Sequence, residues 1–92
     1  MAISYDPAKN QSNIALRGLS FELVAELDWA SALIVEDTRK EYGERRFIAI
    51  GFIKDQLYSV VYTPRSATRR IISFRQASSR EVVKYGQTLQ AR

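Results

Sequence analysis

Arginine dominates the residues of this chain that could do chemistry. The 92 residues include 14 lysines and arginines and 10 aspartates and glutamates, but no histidine and no cysteine. These absences exclude a Ser-His-Asp triad, histidine-based zinc chemistry, thiolate ligands and disulfides. What arginine offers is electrostatic, because a guanidinium stays charged and can hold a phosphate through two hydrogen bonds.

The cations are unevenly distributed along the sequence. Residues 65–92 contain seven lysines and arginines and a single acid, Glu81. Such asymmetry is typical of a surface that contacts a polyanion or an acidic partner. A solvated basic face is the alternative, and composition alone favours neither.

The predicted last strand, RRIISFRQ, sets several cations in a defined geometric relation. Side chains alternate across a sheet, so Arg69, Ser73 and Arg75 are predicted on one face and Arg70 on the other. Together with Arg65 on the preceding turn, the first face would make a phosphate-binding site. Alternatively, these arginines protect a sheet edge from aggregation, or they pair with acids.

Glu44 and Tyr62 are further candidates, at or within a predicted hairpin. Glu44 precedes Arg45 and Arg46, and its carboxylate could orient an arginine or take a proton from a ribose hydroxyl. Neighbouring arginines weaken a carboxylate as a base, so we expect the orienting role. Tyr62 shares a strand face with Tyr58, where tyrosine rings either stack on RNA bases or, more commonly, pack against neighbours.

The first predicted helix carries two polar candidates. Lys9 and Asn13 lie four residues apart and share a helix face, where they could contact a phosphate or be solvated. No glycine-rich phosphate loop occurs in the sequence, which excludes nucleotide hydrolysis by a P-loop. We therefore expect no cofactor and no metal.

Hydrophobic periodicity predicts one α+β domain over residues 1–92, with two N-terminal helices, an antiparallel sheet of about four strands and a short C-terminal helix. The helices are predicted at 6–17 and 20–29, and a third is opened by residues 77–81. The strands are predicted at 32–35, 46–53, 57–63 and 69–76, after a short opening strand at 3–5. Strands that are apolar on both sides, such as 46–53, indicate a sheet covered on both faces.

Local signals predict where the helices begin and end. Asp6 and Pro7 are a helix start, and Gly18 is a left-handed stop. Ser78 with Glu81 matches a capping box for the last helix, which is predicted to end near Tyr85-Gly86 and leave residues 87–92 as a tail. Ser20 is predicted to cap the second helix in the same way as Asp6 caps the first.

Nothing in the sequence directs the chain into or across a membrane. The longest nearly uncharged apolar run, 47–53, is too short to cross a bilayer. The N-terminus lacks a basic region followed by an apolar stretch, so no secretory signal is predicted. We expect a cytoplasmic protein.

The order of the motifs resembles that of the BrnT family of toxins. The similarity covers nearly the whole chain, in order and with short gaps. In the first part of the chain the similarity lies in YDPAK at 5–9, Asn13 and GLSF at 18–21. In the middle it lies in ED at 36–37, GERRF at 43–47 and IG at 50–51. In the last part it lies in VVYT at 60–63, RIISFRQAS at 70–78 and Glu81.

The resemblance implies a RelE-like fold and a ribonuclease that arrests translation. It also implies a BrnA-type antitoxin with a ribbon-helix-helix region, repression of operator DNA through that antitoxin, and a toxin dimer within the complex. The small size of the chain and apolar side chains predicted to be exposed, Trp29 and Ile71, also favour a covering partner. Matched polar positions are Lys9, Asn13, Glu44, Arg46, Arg70, Ser73 and Arg75.

Two histidines that are common in the family are missing here. Arg17 stands where the first is found, and Lys40 is the nearest counterpart of the second. Two interpretations of the resemblance therefore remain open. One is a metal-independent ribonuclease with catalytic candidates Glu44, Arg46, Arg75, Lys40 and Tyr62, and RNA-binding candidates Arg65, Arg69, Arg70, Ser73, Lys9 and Asn13. The other is an inactive homologue that serves as a protein-binding module in a DNA-binding repressor complex. A stand-alone DNA-binding protein ranks last, since no predicted helix has a convincing cationic face.

Overall fold

A five-stranded sheet forms the centre of the molecule, for which the computed structural model describes residues 2–90. The strand order across the sheet is β1-β5-β4-β3-β2. The strands are β1 (Ala2–Tyr5), β2 (Leu33–Glu36), β3 (Phe47–Ile53), β4 (Gln56–Arg65) and β5 (Thr68–Gln76), and the α-helices are α1 (Pro7–Arg17) and α2 (Ser79–Gln90). Within residues 2–90, neither helix is long and apolar enough to cross a membrane.

The α+β class is confirmed, but the sheet is mixed and has five strands instead of about four antiparallel ones. β1 runs parallel to β5, with Ala2 opposite Thr68 and Tyr5 opposite Ile71, whereas the other neighbours are antiparallel. This parallel pair joins the two strands that are most distant in sequence. Local patterns carry no signal of such pairing, which is why the sequence predicted the opening strand without its place in the sheet.

Helix α1 begins and ends as predicted. The Asp6 carboxylate accepts a hydrogen bond of 2.9 Å from the backbone N–H of Ala8, and Pro7 occupies the first turn. Gly18 ends the helix at a φ of 69°, and its N–H donates to the Ile14 carbonyl oxygen at 2.8 Å. These caps satisfy backbone groups that the helix itself leaves free.

The second predicted helix is a 3-10 segment, Phe21–Glu26, followed by a short 3-10 turn at Trp29–Ser31. Its buried side chains are Phe21, Val24 and Leu27, which are spaced by three residues. A 3-10 helix has three residues per turn and stacks such positions on one side, which an α-helix would rotate apart. The predicted Ser20 cap is confirmed, since its hydroxyl accepts from the N–H of Glu22 at 3.2 Å.

The two sheet faces are covered unequally. The first, which we call the closed face, packs its apolar side chains against the 3-10 segment and contains the main core. The second, which we call the open face, is covered at one end by α2, where Tyr85 packs on Ile50 and Leu57 and donates to the Ser31 carbonyl oxygen at 2.9 Å. The prediction of a sheet covered on both faces therefore holds for only part of the open face.

The capping box of α2 is confirmed, but its predicted end is wrong. The N–H of Ser78 donates to the Glu81 carboxylate at 2.8 Å, and the N–H of Glu81 donates to the Ser78 hydroxyl at 3.2 Å. The helix continues through Gly86 to Gln90, because the anchoring of Tyr85 outweighs the low helix propensity of one glycine. Residues 91–92 of the predicted tail lie outside the described residues.

We predict that Gly86→Ala stabilises the fold by about 0.5–1 kcal/mol, because alanine loses less backbone entropy than glycine in a helix interior. A Cβ built at Gly86 meets no neighbouring atom within 4 Å. Urea unfolding followed by circular dichroism would measure the change. A lower free energy of unfolding than in the wild-type protein would contradict the prediction.

Gly51→Ala provides a matched comparison with the opposite expected sign. A Cβ at Gly51 would lie 3.2 Å from the Ala32 Cβ and 3.3 Å from the Leu27 Cγ, in the buried layer between β3 and the 3-10 segment. Overpacking of this kind costs about 1–3 kcal/mol. The same unfolding experiment should therefore separate the two alanine variants in opposite directions.

Candidate functional site

A β-bulge in β5 decides which arginines share a face. The pairing steps from Val61 opposite Ser73 to Tyr62 opposite Ile71, which leaves Ile72 as an extra residue in β5. A one-residue slip of this kind moves all subsequent side chains to the other face of the sheet. Strict alternation, on which the prediction for this strand depended, is therefore broken at Ile72.

The bulge corrects the predicted grouping of the arginines. Ile71 and Phe74, three residues apart, both lie in the closed-face core, at 1% and 0% exposure. Arg70 precedes Ile71 and Arg75 follows Phe74, so both belong to the open face, whereas Arg69 belongs to the closed face. The prediction that set Arg70 opposite Arg75 and grouped Arg69 with Arg75 is wrong.

Residues before β3 and at the end of β4 extend the same open face. Glu44 accepts hydrogen bonds of 3.3 Å from Arg46 Nε and from an Arg65 terminal nitrogen. Thr63, which pairs with Arg70 across the strands, is buried and donates to the Arg45 carbonyl oxygen at 2.6 Å. Glu44 therefore holds two guanidinium groups near each other, as its predicted orienting role requires.

Arg75 is held by Glu81 at the start of α2. Its two terminal nitrogens donate to the two Glu81 oxygens at 2.7 and 3.0 Å. These hydrogen bonds, together with the one from the Ser78 backbone, lower the pKa of Glu81 to about 2 despite its partial burial. Arg70, by contrast, has no carboxylate partner within residues 2–90.

The open face therefore keeps a positive charge. It combines four guanidinium groups with two carboxylates, those of Glu44 and Glu81. Ion pairs at the protein surface are weak because solvent screens them, and the pairs of Glu44 are partly exposed. The arrangement is suited to binding successive phosphates along this face of the sheet.

Asp37 organises the loop between β2 and β3, a part of the site that the sequence analysis missed. Its carboxylate is buried, with 1% of the side chain exposed, and accepts hydrogen bonds from Arg39 and from the Tyr42 hydroxyl. The Arg39 guanidinium holds the pKa of Asp37 well below its usual range. The Tyr42 ring lies 4.2 Å from the Arg46 guanidinium carbon and 5.3 Å from Lys40 Nζ. The sequence did contain a signal for this buried ion pair, because Asp37 closely follows an apolar strand and precedes Arg39 by two residues.

The loop also lines a concavity with a volume of about 520 Å³. Lys40, Tyr42, Glu44 and Arg46 are among its lining residues. Both polar and aromatic groups therefore border a space beside the arginines of the open face, large enough to admit part of a nucleotide.

Comparison with known protein families identifies the chain. A family model described as the ribonuclease toxin BrnT of a type II toxin–antitoxin system matches residues 5–81. The chain belongs to the BrnT family. The match extends from the end of β1 to the first turn of α2, and the resemblance stated from the sequence is confirmed at this level. A search of curated proteins found no match.

Membership of the BrnT family assigns the chain to the ribonuclease toxins of type II systems and implies a neutralising antitoxin as partner. Within this BrnT fold, six of the eleven residues that the sequence predicted for the site share the open face: Glu44, Arg46, Arg65, Arg70, Ser73 and Arg75. The first four lie at one end of β4 and β5, whereas Arg75 lies further along β5, beside α2.

Two predicted site residues lie on the opposite, closed face of this BrnT chain. Tyr62 is 7% exposed and packs between Trp29 and Phe47, with ring centroids at 5.3 and 5.8 Å. The Arg69 guanidinium carbon lies 3.8 Å from the centroid of the Trp29 ring. Both residues are thus separated from Arg70 by the sheet itself, and Ile71, predicted to be exposed, is buried.

The α1 candidates lie beside the outer edge of β5, beyond the end of β1. Asn13 is buried, donates to the Leu19 carbonyl oxygen at 3.0 Å and accepts from Arg17 at 3.0 Å, so its polar groups hold the turn after α1. Lys9 is exposed and lines, with Ser73, a concavity of about 300 Å³. Of the two, Lys9 is therefore the one available to a ligand.

We predict that Glu81→Gln flattens the acid side of the stability curve of this BrnT toxin. Folding lowers the pKa of Glu81 from 4.5 to about 2. A carboxyl with a depressed pKa stabilises the fold above its unfolded pKa and loses that contribution as the pH falls through the folded pKa. Between about pH 5 and pH 2 the Tm of the wild-type protein should fall more steeply than that of the variant.

Glutamine can still accept the Ser78 hydrogen bond, so the variant keeps its helix cap while losing the ion pair. Glu26→Gln, a substitution at an exposed carboxylate without an ion pair among residues 2–90, is the control. Parallel Tm curves for the wild-type and Glu81→Gln proteins would show that the Arg75 pair does not contribute as described.

Proposed function

We propose that the open face is the active surface of a metal-independent ribonuclease, which cleaves RNA and thereby arrests translation in the cytoplasm. The observation that carries the proposal is the bulge at Ile72, because it sets Arg70 and Arg75 on one face with Arg46. Without the bulge, Arg70 would lie on the other side of the sheet. The predicted RelE-like character of the fold is part of the same proposal.

The proposed reaction uses the 2′-hydroxyl of the RNA as nucleophile. Its oxygen forms a bond to the adjacent phosphorus while the bond from phosphorus to the 5′-oxygen breaks, which leaves a 2′,3′-cyclic phosphate and a 5′-hydroxyl. One proton leaves the 2′-hydroxyl and one is taken up by the departing 5′-oxygen. The protein must align these atoms, neutralise the charge on the phosphate oxygens and assist the proton transfers.

The arginines supply the charge in this proposal. Arg46 and Arg70, which lie on either side of Thr63, contact the scissile phosphate, and Arg75, further along β5, contacts a neighbouring one. The Ser73 hydroxyl donates to the RNA backbone between them. Glu44 orients Arg46 and Arg65, and Arg65 and Lys9 contact flanking phosphates. Lys40, on the loop beside Arg46, remains as the candidate proton carrier, whereas the burial of Tyr62 on the closed face removes it from the proposed set.

The proposed partner is a BrnA-type antitoxin with a ribbon-helix-helix region, through which the complex contacts operator DNA. Exposed apolar side chains on the edge strand β2, Ile34 and Val35, and on α2, Val82 and Val83, support a surface that a protein covers. They replace Ile71 as the basis for expecting a partner, because Ile71 is buried. A toxin dimer within the complex is part of this proposal.

A second candidate function is favoured by the internal ion pairs. Arg46, Arg65 and Arg75 each donate to a carboxylate of the chain, which is also the arrangement of a surface that cleaves nothing. On this alternative, the chain is a protein-binding module of a repressor complex. Purified protein incubated with RNA separates the two functions, since only the ribonuclease releases fragments that end in a 2′,3′-cyclic phosphate.

We predict that Arg70→Gln lowers the single-turnover cleavage rate by about 10²-fold, as expected when one preorganised donor to the phosphate is lost. The neighbouring Arg69→Gln is the matched control, since Arg69 lies on the closed face beside Trp29. It should leave the rate close to that of the wild-type protein. Quenched-flow cleavage of a short oligoribonucleotide would measure both rates.

Growth after expression of each variant gives a parallel measurement. Arg70→Gln, Arg46→Ala and Arg75→Ala should relieve growth arrest and still form a complex with the antitoxin, whereas Arg69→Gln should remain toxic. Equal toxicity of Arg70→Gln and the wild-type protein, or equal loss in both neighbouring variants, would contradict the assignment of the reaction to the open face.

A further inference from the structure

The loop between β2 and β3 is anchored at a buried carboxylate. Asp37 donates its N–H to the Arg46 carbonyl oxygen at 2.7 Å, and its side chain accepts from Arg39 Nε and from an Arg39 terminal nitrogen at 2.8 Å each. The Tyr42 hydroxyl donates to the same carboxylate at 3.0 Å. A buried charge with this many donors is strongly held, because each lost hydrogen bond would leave it unsatisfied.

Tyr42 presents its ring to two cations that the function uses. The Arg46 guanidinium carbon lies 4.2 Å and Lys40 Nζ lies 5.3 Å from the ring centroid, within the range of a cation–π interaction. The Tyr42 hydroxyl is occupied by Asp37, so it is not free to carry a proton to RNA. The ring is thus fixed at one end by a buried acid and supports Arg46 and Lys40 with its π face.

Arg46 is held from two sides as a result. Its Nε donates to Glu44, and its guanidinium packs on Tyr42, which leaves 24% of the side chain exposed. A free arginine side chain loses rotamer entropy when it grips a phosphate. An arginine that is already ordered avoids most of that entropy loss, and its guanidinium binds the phosphate at a defined position.

We propose that Tyr42 is a positioning residue of the ribonuclease: anchored by Asp37, it orders Arg46 for contact with an RNA phosphate. The inference rests on the proposed function for the value of that contact, but its geometry does not depend on cleavage. Tyr42 belongs to neither apolar cluster of the protein, so its effect on RNA is separable from support of the core.

A double-mutant cycle with a 2′-O-methyl oligoribonucleotide, which cannot be cleaved, tests the proposal. Tyr42→Leu should weaken binding of this probe about tenfold in the wild-type background and much less in an Arg46→Ala background, where only the more distant contact of the ring with Lys40 remains. Tyr42→Trp, which keeps an aromatic face, should retain most of the affinity. Fluorescence anisotropy at fixed salt would measure the four affinities of the cycle.

Equal losses of affinity in both backgrounds would overturn the proposal, since Tyr42 would then act independently of Arg46. Loss of the fold in Tyr42→Leu is checked by circular dichroism, and Tyr42→Phe then takes its place, with a smaller expected loss because the ring remains while its anchor to Asp37 is removed.

A measurement without RNA separates this inference from the proposed function. In the wild-type protein the Arg46 Nε–H resonance should be shifted by the Tyr42 ring current, and Tyr42→Leu should abolish the shift. If the wild-type protein cleaves no RNA, the proposed function fails, while the binding cycle and this resonance still decide whether Tyr42 orders Arg46. An unshifted Arg46 resonance in the wild-type protein would overturn the inference directly.

Discussion

The extra residue in β5 constrains the direction of every charged side chain on that strand. It occurs where the neighbour of β5 changes: β1 ends with Tyr5 opposite Ile71, and α1 lies beside the strand from Ile72 onward. Beyond this point Arg17 of α1 donates to the Phe74 carbonyl oxygen at 3.4 Å. Because no paired strand follows on that edge, β5 can take up an additional residue there without breaking a second ladder, and Arg70 and Arg75 come to the same face.

The ion pairs of the open face fix the positions of arginine side chains more than they stabilise the fold. Glu44 holds two guanidinium groups at defined places, yet partly exposed pairs of this kind stabilise a fold by about 1 kcal/mol or less. Asp37 differs, since its carboxylate is buried and its bonds to Arg39 and Tyr42 give the loop a definite shape. A loop held by a buried carboxylate therefore lies beside ion pairs that are partly exposed to solvent.

The unequal covering of the two sheet faces connects fold with function. The 3-10 segment closes one face completely enough to bury Phe21 and Val24, whereas α2 covers only the end of the other face around Tyr85. Arg46, Arg65 and Arg70 lie at the uncovered end, whereas Arg75 lies beside α2. A small chain cannot bury both faces fully, and part of the open face of this BrnT chain is left exposed.

The sequence by itself determined the class of chemistry, the helix starts and most strand positions. Caps such as Asp6 and the Ser78–Glu81 box depend on residues within three or four positions, so they can be predicted locally. The ordered motifs were also enough to indicate the family. The arginine-rich composition predicted phosphate binding without telling which arginines converge.

Only the tertiary structure decided which arginines share a face of the sheet. A bulge is a property of two paired strands, and the parallel pairing of β1 with β5 joins the two strands of the sheet that are most distant in sequence, so neither leaves a periodic signal in the chain. The same holds for Tyr62, whose strand position was predicted but whose burial between Trp29 and Phe47 depends on three separate segments. Side-chain direction in a sheet is set by register, and register is set between strands rather than within them.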